Sequence, residues 1–110
     1  MKRLMLVLLV SLFLFVPMIS QAIFSEDWRD GFIQKLYVDP SDVVLQMDTS
    51  GPCGSNFFHI RRSNANFHEL YAAILMAKGD GLRVGLAVID CAEGDPGVFD
   101  RNVVSHGYIE

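Results

Sequence analysis

The stretch "NFHELYAAILMAKGDG", residues 66–81, changes the hydrophobic period of this chain. Elsewhere apolar and polar residues tend to alternate, but here Phe67, Leu70 and Ile74 recur at helical spacing, with Tyr71 beside Leu70. That spacing places the four side chains on one face of an α-helix. The stretch therefore predicts one amphipathic helix in a chain whose other segments have strand composition.

Both ends of this helix carry recognisable signals. Asn66 is a candidate N-cap, and Glu69 three residues later completes something close to a capping box. Gly79 or Gly81 ends the helix, and Lys78 lies in the last turn, where a cation suits the helix dipole. We therefore expect the helix to occupy about the whole of the quoted stretch.

Three segments before the helix predict strands, at residues 31–38, 43–48 and 56–62. The first two are joined by the turn sequence "DPSD", so they predict a hairpin. In the first strand Phe32, Leu36 and Val38 can share the inward face, whereas Ile33 falls on the opposite side. Trp28 precedes this strand, and we expect it to cover the core.

Two further strands follow the helix, at residues 82–90 and 102–109. In the first of them the small Gly85 and Ala87 lie opposite the apolar face, which suits the close approach of another element. The order is β-β-β-α-β-β, mainly β with one helix. Five short strands are too few for a good sandwich, and the helix must cover something. We expect a bent five-stranded barrel plugged by the helix, the oligonucleotide/oligosaccharide-binding (OB) arrangement; an open antiparallel sheet is the alternative.

The N-terminus has the composition of a secretory signal peptide. Lys2 and Arg3 precede an apolar run over residues 4–16, and small residues stand before a cleavage position after Ala22. The run of 13 apolar-rich residues is shorter than the roughly 20 that a membrane-spanning helix needs. We therefore expect residues 1–22 to be a signal peptide rather than a stable membrane anchor.

Processing would leave one small domain of 88 residues, 23–110. Loss of Lys2 and Arg3 leaves seven basic residues against 13 acidic ones, a formal charge of −6. Nucleic acids and anionic membrane surfaces are poor partners for such an acidic domain. The expected location is the periplasm or the extracellular medium.

The chain has two cysteines, Cys53 and Cys91, and an even pair in an exported domain predicts one disulfide. The pair lacks the C-x-x-C spacing of redox-active or metal-binding cysteines. Closing a loop of about 39 residues is worth on the order of 4 kcal/mol in the chain-entropy model. For a small domain that would be much of the net stability.

Catalytic and metal-binding patterns are missing from the sequence. His59, His68 and His106 lack the spacing of a metal site, and no serine lies in a G-x-S-x-G context. We therefore predict no catalytic residue, no metal, no cofactor and a protein that is not an enzyme.

The outer face of the first three predicted strands is the candidate ligand-binding surface. Aromatic and polar side chains on this face suit a sugar ring, and OB-folds commonly bind ligands in this region. An ordinary polar sheet exterior is the alternative. The candidate residues are Lys35, Tyr37, Gln46, His59 and Arg61.

The assembled pattern resembles small exported bacterial proteins similar to the B subunit of subtilase cytotoxin, a pentameric OB-fold member of the AB5 toxins. The residues that carry the resemblance are Cys53, Tyr71, Ala72, Ile74, Leu75, Ala77, Val84 and Cys91. The resemblance implies an OB-fold with this disulfide, glycan binding and assembly into a homo-oligomeric ring. The expected function is an exported, non-enzymatic binding module for a glycan or a protein. A structural envelope or periplasmic component and a small enzyme inhibitor are the alternatives.

Overall fold

A computed structural model describes residues 26–110 of the chain. The predicted signal peptide, residues 1–22, and its cleavage position lie outside the described residues. The described part is mainly β with one helix, in the predicted order β-β-β-α-β-β. The elements are β1 (Asp27–Val38), β2 (Asp42–Met47), β3 (Phe57–Arg61), α1 (Phe67–Asp80), β4 (Arg83–Ala92) and β5 (Arg101–Ile109). Helix α1 is not long and apolar enough to cross a membrane.

The five strands form one sheet that closes into a ring, in the order β1-β2-β3-β5-β4, with β4 paired back to β1. Four of the five pairings are antiparallel. The exception is the short parallel pair between β3 and β5, in which Phe58 lies opposite Asn102 and His59 opposite Val103. The open sheet that the sequence left as an alternative is therefore not formed.

The core fills the inside of this ring. Alternate residues of each strand point inward, and the fully buried ones include Leu45, Phe58 and Val104. Helix α1 adds its apolar face, with Phe67 and Ile74 buried in the same cluster. The helix contacts β1, β3, β4 and β5, so it packs against most of the ring.

Strand β1 begins earlier than predicted, and this changes the position of Trp28. Residues 27–30, which precede the predicted strand, pair with β4, so that Trp28 lies opposite Ala87. Ala87 belongs to the outward-facing set of β4, and the Trp28 side chain is 40% exposed. The expectation that Trp28 covers the core is wrong, because this register places it on the outer surface.

A β-bulge in β1 changes which residues face inward in the part of the strand before it. The register shifts between Ile33 and Lys35, which leaves Gln34 without an opposing residue on β2. Ile33 is therefore buried, whereas Phe32 is 46% exposed. The prediction that Phe32 faces inward and Ile33 outward is wrong for this reason. Beyond the bulge Leu36 packs against the core, as predicted, but the prediction that Val38 also faces inward is wrong, because it is 59% exposed at the end of the strand.

The ends of α1 follow the predicted signals in part. Gly81 is the C-cap in the left-handed conformation, with φ of 65°, and Lys78 lies in the last turn. Asn66 occupies the N-cap position, but its side chain does not cap the helix. The Asn66 Nδ2 instead donates a hydrogen bond of 3.1 Å to the carbonyl oxygen of Ser105. The predicted capping box is wrong, because the amide binds β5 instead.

The predicted disulfide is present between Cys53 and Cys91, with an S–S distance of 2.06 Å. It ties the β2–β3 loop to the end of β4. The same loop is held by Asn102 of β5, the one fully buried polar side chain among residues 26–110. The Asn102 Oδ1 accepts a bond of 2.9 Å from the Cys53 amide, and its Nδ2 donates to the carbonyls of Ser55 and Phe57. Asn102 thus extends the short β3–β5 pairing with peptide-like hydrogen bonds.

Candidate functional site

The five predicted ligand-binding residues share the outer face of β1, β2 and β3, as the alternation of the strands indicated. Two rows cross this face, and each joins one residue from each strand. The rows are Lys35–Gln46–Phe57 and Tyr37–Val44–His59. Arg61 extends the face at the end of β3, where it lies opposite Asp42.

An open cleft of about 520 Å³ lies over part of this face. One wall comes from the strands and the β1–β2 turn, and the other comes from the β4–β5 loop. The lining residues are Tyr37, Val38, Asp39, Val44, Phe57, His59, Glu93, Gly94 and Arg101. The structure therefore brings Tyr37 and His59 into the cleft. Lys35, Gln46 and Arg61 lie on the same sheet face but do not line the cleft.

Two aromatic rings give the cleft its apolar surface. Tyr37 is 47% exposed, and its register with Val44 leaves a small aliphatic side chain beside it. Phe57 is half-buried, because the guanidinium of Arg101 lies over its ring with Cζ 4.1 Å from the ring centroid. A cation held over an aromatic face gains electrostatic energy from the ring quadrupole. Phe57 thus fixes a positive group at the edge of the cleft.

Arg101 is held in place on its other side by the β4–β5 loop. A Cβ at Gly94 would clash with the Arg101 Nε, so the glycine makes room for the guanidinium. Within the described residues this Nε is buried and has no hydrogen-bond partner. Asp100 is the adjacent carboxylate, with Oδ1 3.6 Å from Nε, which is beyond hydrogen-bond distance. Arg101 is therefore positioned by packing and by the Asp100 carboxylate, and its side chain remains 21% exposed.

His59 is oriented by a carboxylate. Its Nδ1 lies 3.3 Å from the Oδ2 of Asp42, and its side chain is 14% exposed. Within residues 26–110, the second ring nitrogen, Nε2, makes no hydrogen bond with the protein. A partly buried imidazole held through one nitrogen can offer the other as a donor or an acceptor to a ligand.

Arg61 points away from the cleft toward β4. Its Nη2 lies 3.8 Å from the Oδ2 of Asp90, and both side chains are well exposed. An exposed ion pair of this length contributes little to stability. Arg61 is therefore a surface residue at the margin of the candidate site.

Sequence reasoning did not find the second wall of the cleft, which Glu93, Gly94 and Arg101 form. Glu93 and Gly94 lie in the β4–β5 loop and Arg101 is the first residue of β5, all more than 30 residues from β3 in the sequence, and they carry no motif. The parallel pairing of β3 with β5 brings this loop beside Phe57, and local sequence contains no sign of that pairing. The alternation of β3 did indicate that Phe57 points outward with His59.

No three His, Cys, Asp or Glu side chains within residues 26–110 are arranged to hold a metal ion. Comparisons with protein-family models, with curated proteins and with solved structures found no match to this chain.

Proposed function

We propose that this protein is an exported, non-enzymatic binding module built on an OB-fold, and that the cleft over β1–β3 is its ligand site. The strand order, the closed ring and the position of α1 between β3 and β4 support the OB assignment. OB-folds bind ligands on the face of strands 2 and 3 and with the loops that follow strands 1 and 4. In this chain Asp39 and Glu93 come from those two loops.

The observation that carries the proposal is the composition of the cleft. Tyr37 offers an exposed ring surface, His59 offers a ring nitrogen that Asp42 has already oriented, and Arg101 offers a guanidinium held over Phe57. A sugar presents an apolar ring face and a rim of hydroxyl groups, and both kinds of group have counterparts here. We therefore propose a glycan as the ligand, with a protein surface as the alternative.

Export is part of the proposal, and two features support it. The first is the signal-peptide pattern of residues 1–22. The second is the disulfide, which suits an oxidising compartment such as the periplasm or the extracellular medium. Assembly into a B-subunit-like homo-oligomeric ring is proposed on the sequence resemblance alone, and native mass spectrometry of the purified protein tests it.

The alternatives of a structural envelope component and an enzyme inhibitor have less support. An inhibitor needs a protruding loop, and the β2–β3 loop, residues 48–56, is the candidate for that role. That loop is held to the body by the disulfide and by the hydrogen bonds of Asn102. A structural component would have no use for an oriented histidine and arginine in a cleft.

A glycan array with the purified, oxidised protein tests the ligand class. We expect binding to one group of glycans, and we expect Tyr37→Ala to weaken it by about tenfold or more, since central aromatic contacts dominate such sites. Tyr108→Ala is the matched control, because Tyr108 has nearly the same exposure, 48% against 47%, on a different face. Absence of glycan binding, or equal losses in the two variants, would contradict the proposal.

A further inference from the structure

The outer face of β1, β4 and β5 carries a second cluster of exposed aromatic side chains. Two cross-strand rows define it, and we call it the aromatic face. The rows are Trp28–Ala87–His106 and Asp30–Gly85–Tyr108. The central strand contributes only small residues, so the rings of the outer strands can lie over it. A Cβ at Gly85 would come 2.5 Å from the Cζ of Tyr108.

The rings of this face contact one another and still present a large surface. Trp28 and Tyr108 have ring centroids 5.4 Å apart with an interplanar angle of 35°. The edge of His106 meets Trp28 at 5.1 Å. Nevertheless Trp28 is 40% exposed, and Phe32, further along β1, is also exposed. The protein thus leaves its one tryptophan at the surface of a packed aromatic cluster.

The charges around the aromatic face are predominantly negative. The Oε1 of Glu26 lies 2.7 Å from the Nε2 of His106, and Glu110 pairs with Arg83 at 3.2 Å. Asp30 is different, because within residues 26–110 it has no cationic partner. Its Oδ1 accepts only the Tyr108 hydroxyl at 3.4 Å. Asp30 is therefore a carboxylate between exposed rings with no cationic side chain of residues 26–110 within ion-pair distance.

The ionisation of Tyr108 is shifted by partial desolvation and, to a lesser degree, by the neighbouring negative charges. Its pKa is raised above 10.0, first by desolvation and then by the charges of Asp30 and Glu110, against a smaller opposite effect of Arg83. The phenol therefore stays neutral through the physiological range. Its ring remains a surface over which a cation is favoured.

We infer that the aromatic face binds an arginine-bearing segment of a partner protein, with the guanidinium over the Trp28 and Tyr108 rings and against Asp30. A guanidinium is planar, stacks on aromatic rings and pairs with a carboxylate through its N–H groups. The occupant supplies the positive charge that Asp30 lacks. A neutral occupant would bury this carboxylate without a charge partner, and an acidic occupant would be repelled.

Binding of a short basic peptide tests this inference. The probe is the capped peptide Gly-Arg-Gly-Arg-Gly, titrated into the purified, oxidised protein, and the signal is the fluorescence of Trp28, the one tryptophan of the chain. We expect a saturable change that weakens as salt is raised from 50 to 300 mM, as for a contact between exposed charges. The same peptide with Glu in place of Arg should give no change.

Substitutions test whether the arginine peptide binds to the aromatic face. Asp30→Asn should weaken binding of the arginine peptide by about fivefold, and Tyr108→Ala should weaken it by a similar factor. Asp30→Glu, which keeps the charge, should retain binding. Asp80→Asn at the end of α1 is the matched control for a lost surface carboxylate, and Tyr37→Ala is the control for the cleft. Thermal melting of each variant shows whether it is folded.

Three results would overturn the inference. One is an equal response to the glutamate peptide. Another is loss of arginine-peptide binding in Tyr37→Ala but not in Asp30→Asn, which would move the contact to the cleft. The third is a change in Trp28 fluorescence on adding a neutral hexasaccharide, with no change on adding the arginine peptide. That result would identify the aromatic face as a sugar-binding surface.

Discussion

The side chain of Asn102 holds the β2–β3 connection to β5 with three hydrogen bonds. It is fully buried. Its Oδ1 accepts a hydrogen bond from the backbone N–H of Cys53, and its Nδ2 donates to the carbonyl oxygens of Ser55 and Phe57. The fit is tight, because a Cβ at Gly51 would clash with the same side chain. One residue of β5 thus satisfies two backbone groups of the β2–β3 loop and one of the first residue of β3, 45 to 49 positions earlier in the sequence.

We expect Asn102→Ala to lower the free energy of unfolding by about 3 kcal/mol, since it leaves buried backbone groups without partners. Urea denaturation of the oxidised protein measures the change. Asn66→Ala is the control, because it removes one half-buried bond to Ser105 and should cost about 1 kcal/mol. If the two variants lost the same free energy of unfolding, the three hydrogen bonds of Asn102 would contribute no more to stability than the single bond of Asn66.

At the scale of the element, α1 ends at a residue that requires glycine. Gly81 has φ of 65°, a conformation that costs an L-residue with a Cβ roughly 1–2 kcal/mol. Gly79, two residues earlier, lies inside the helix and faces open space. The two glycines therefore have opposite expected responses to the same substitution.

We expect Gly81→Ala to destabilise the protein by about 1 kcal/mol and Gly79→Ala to stabilise it by about 0.5 kcal/mol. The loss comes from the left-handed backbone, and the gain comes from a more restricted unfolded chain. Urea denaturation of the two variants side by side measures both effects. A Gly81→Ala variant as stable as the wild type would mean that α1 does not end as described.

The elements themselves were largely predictable, because α1 and the strands have clear periods. The inward face of β1 could not be predicted, because the bulge at Gln34 depends on the pairing with β2. The sequence of β1 alone does not indicate it. The side chain of Asn66 was mispredicted for a similar reason, because β5 competes for its amide. At the candidate site, alternation placed Tyr37 and His59 correctly on the outer face. Arg101 was missed because the β3–β5 pairing that brings it there is non-local.

At the scale of the whole molecule, the covalent link and the closed ring act together. Cys53 follows β2 and Cys91 lies near the end of β4, so the bond spans 38 positions and encloses β3 and α1. Its removal frees the unfolded chain and leaves the fully buried core residues unchanged, although Cys53 itself packs against the edge of that core.

We expect the double variant Cys53→Ser/Cys91→Ser to lose about 4 kcal/mol of stability, through the entropy that the unfolded chain regains. For a domain of this size that loss corresponds to a fall in Tm of roughly 15–30 °C. Differential scanning calorimetry measures it, and the wild type in strong reductant should behave in the same way. A double variant that melts with the oxidised wild type would contradict the assigned role of the bond.

The connectivity of the ring also divides the chain into two halves. Strands β1, β2 and β3 form a consecutive meander, while β4 and β5 form a hairpin, and α1 joins the two. The strands within each half are close in sequence and can pair by local contacts. The β1–β4 and β3–β5 pairings form only when the two halves dock, and such non-local contacts form more slowly. Cys53 belongs to the first half and Cys91 to the second. Formation of the native disulfide therefore requires the two halves to dock, and the folding of either half alone is not enough.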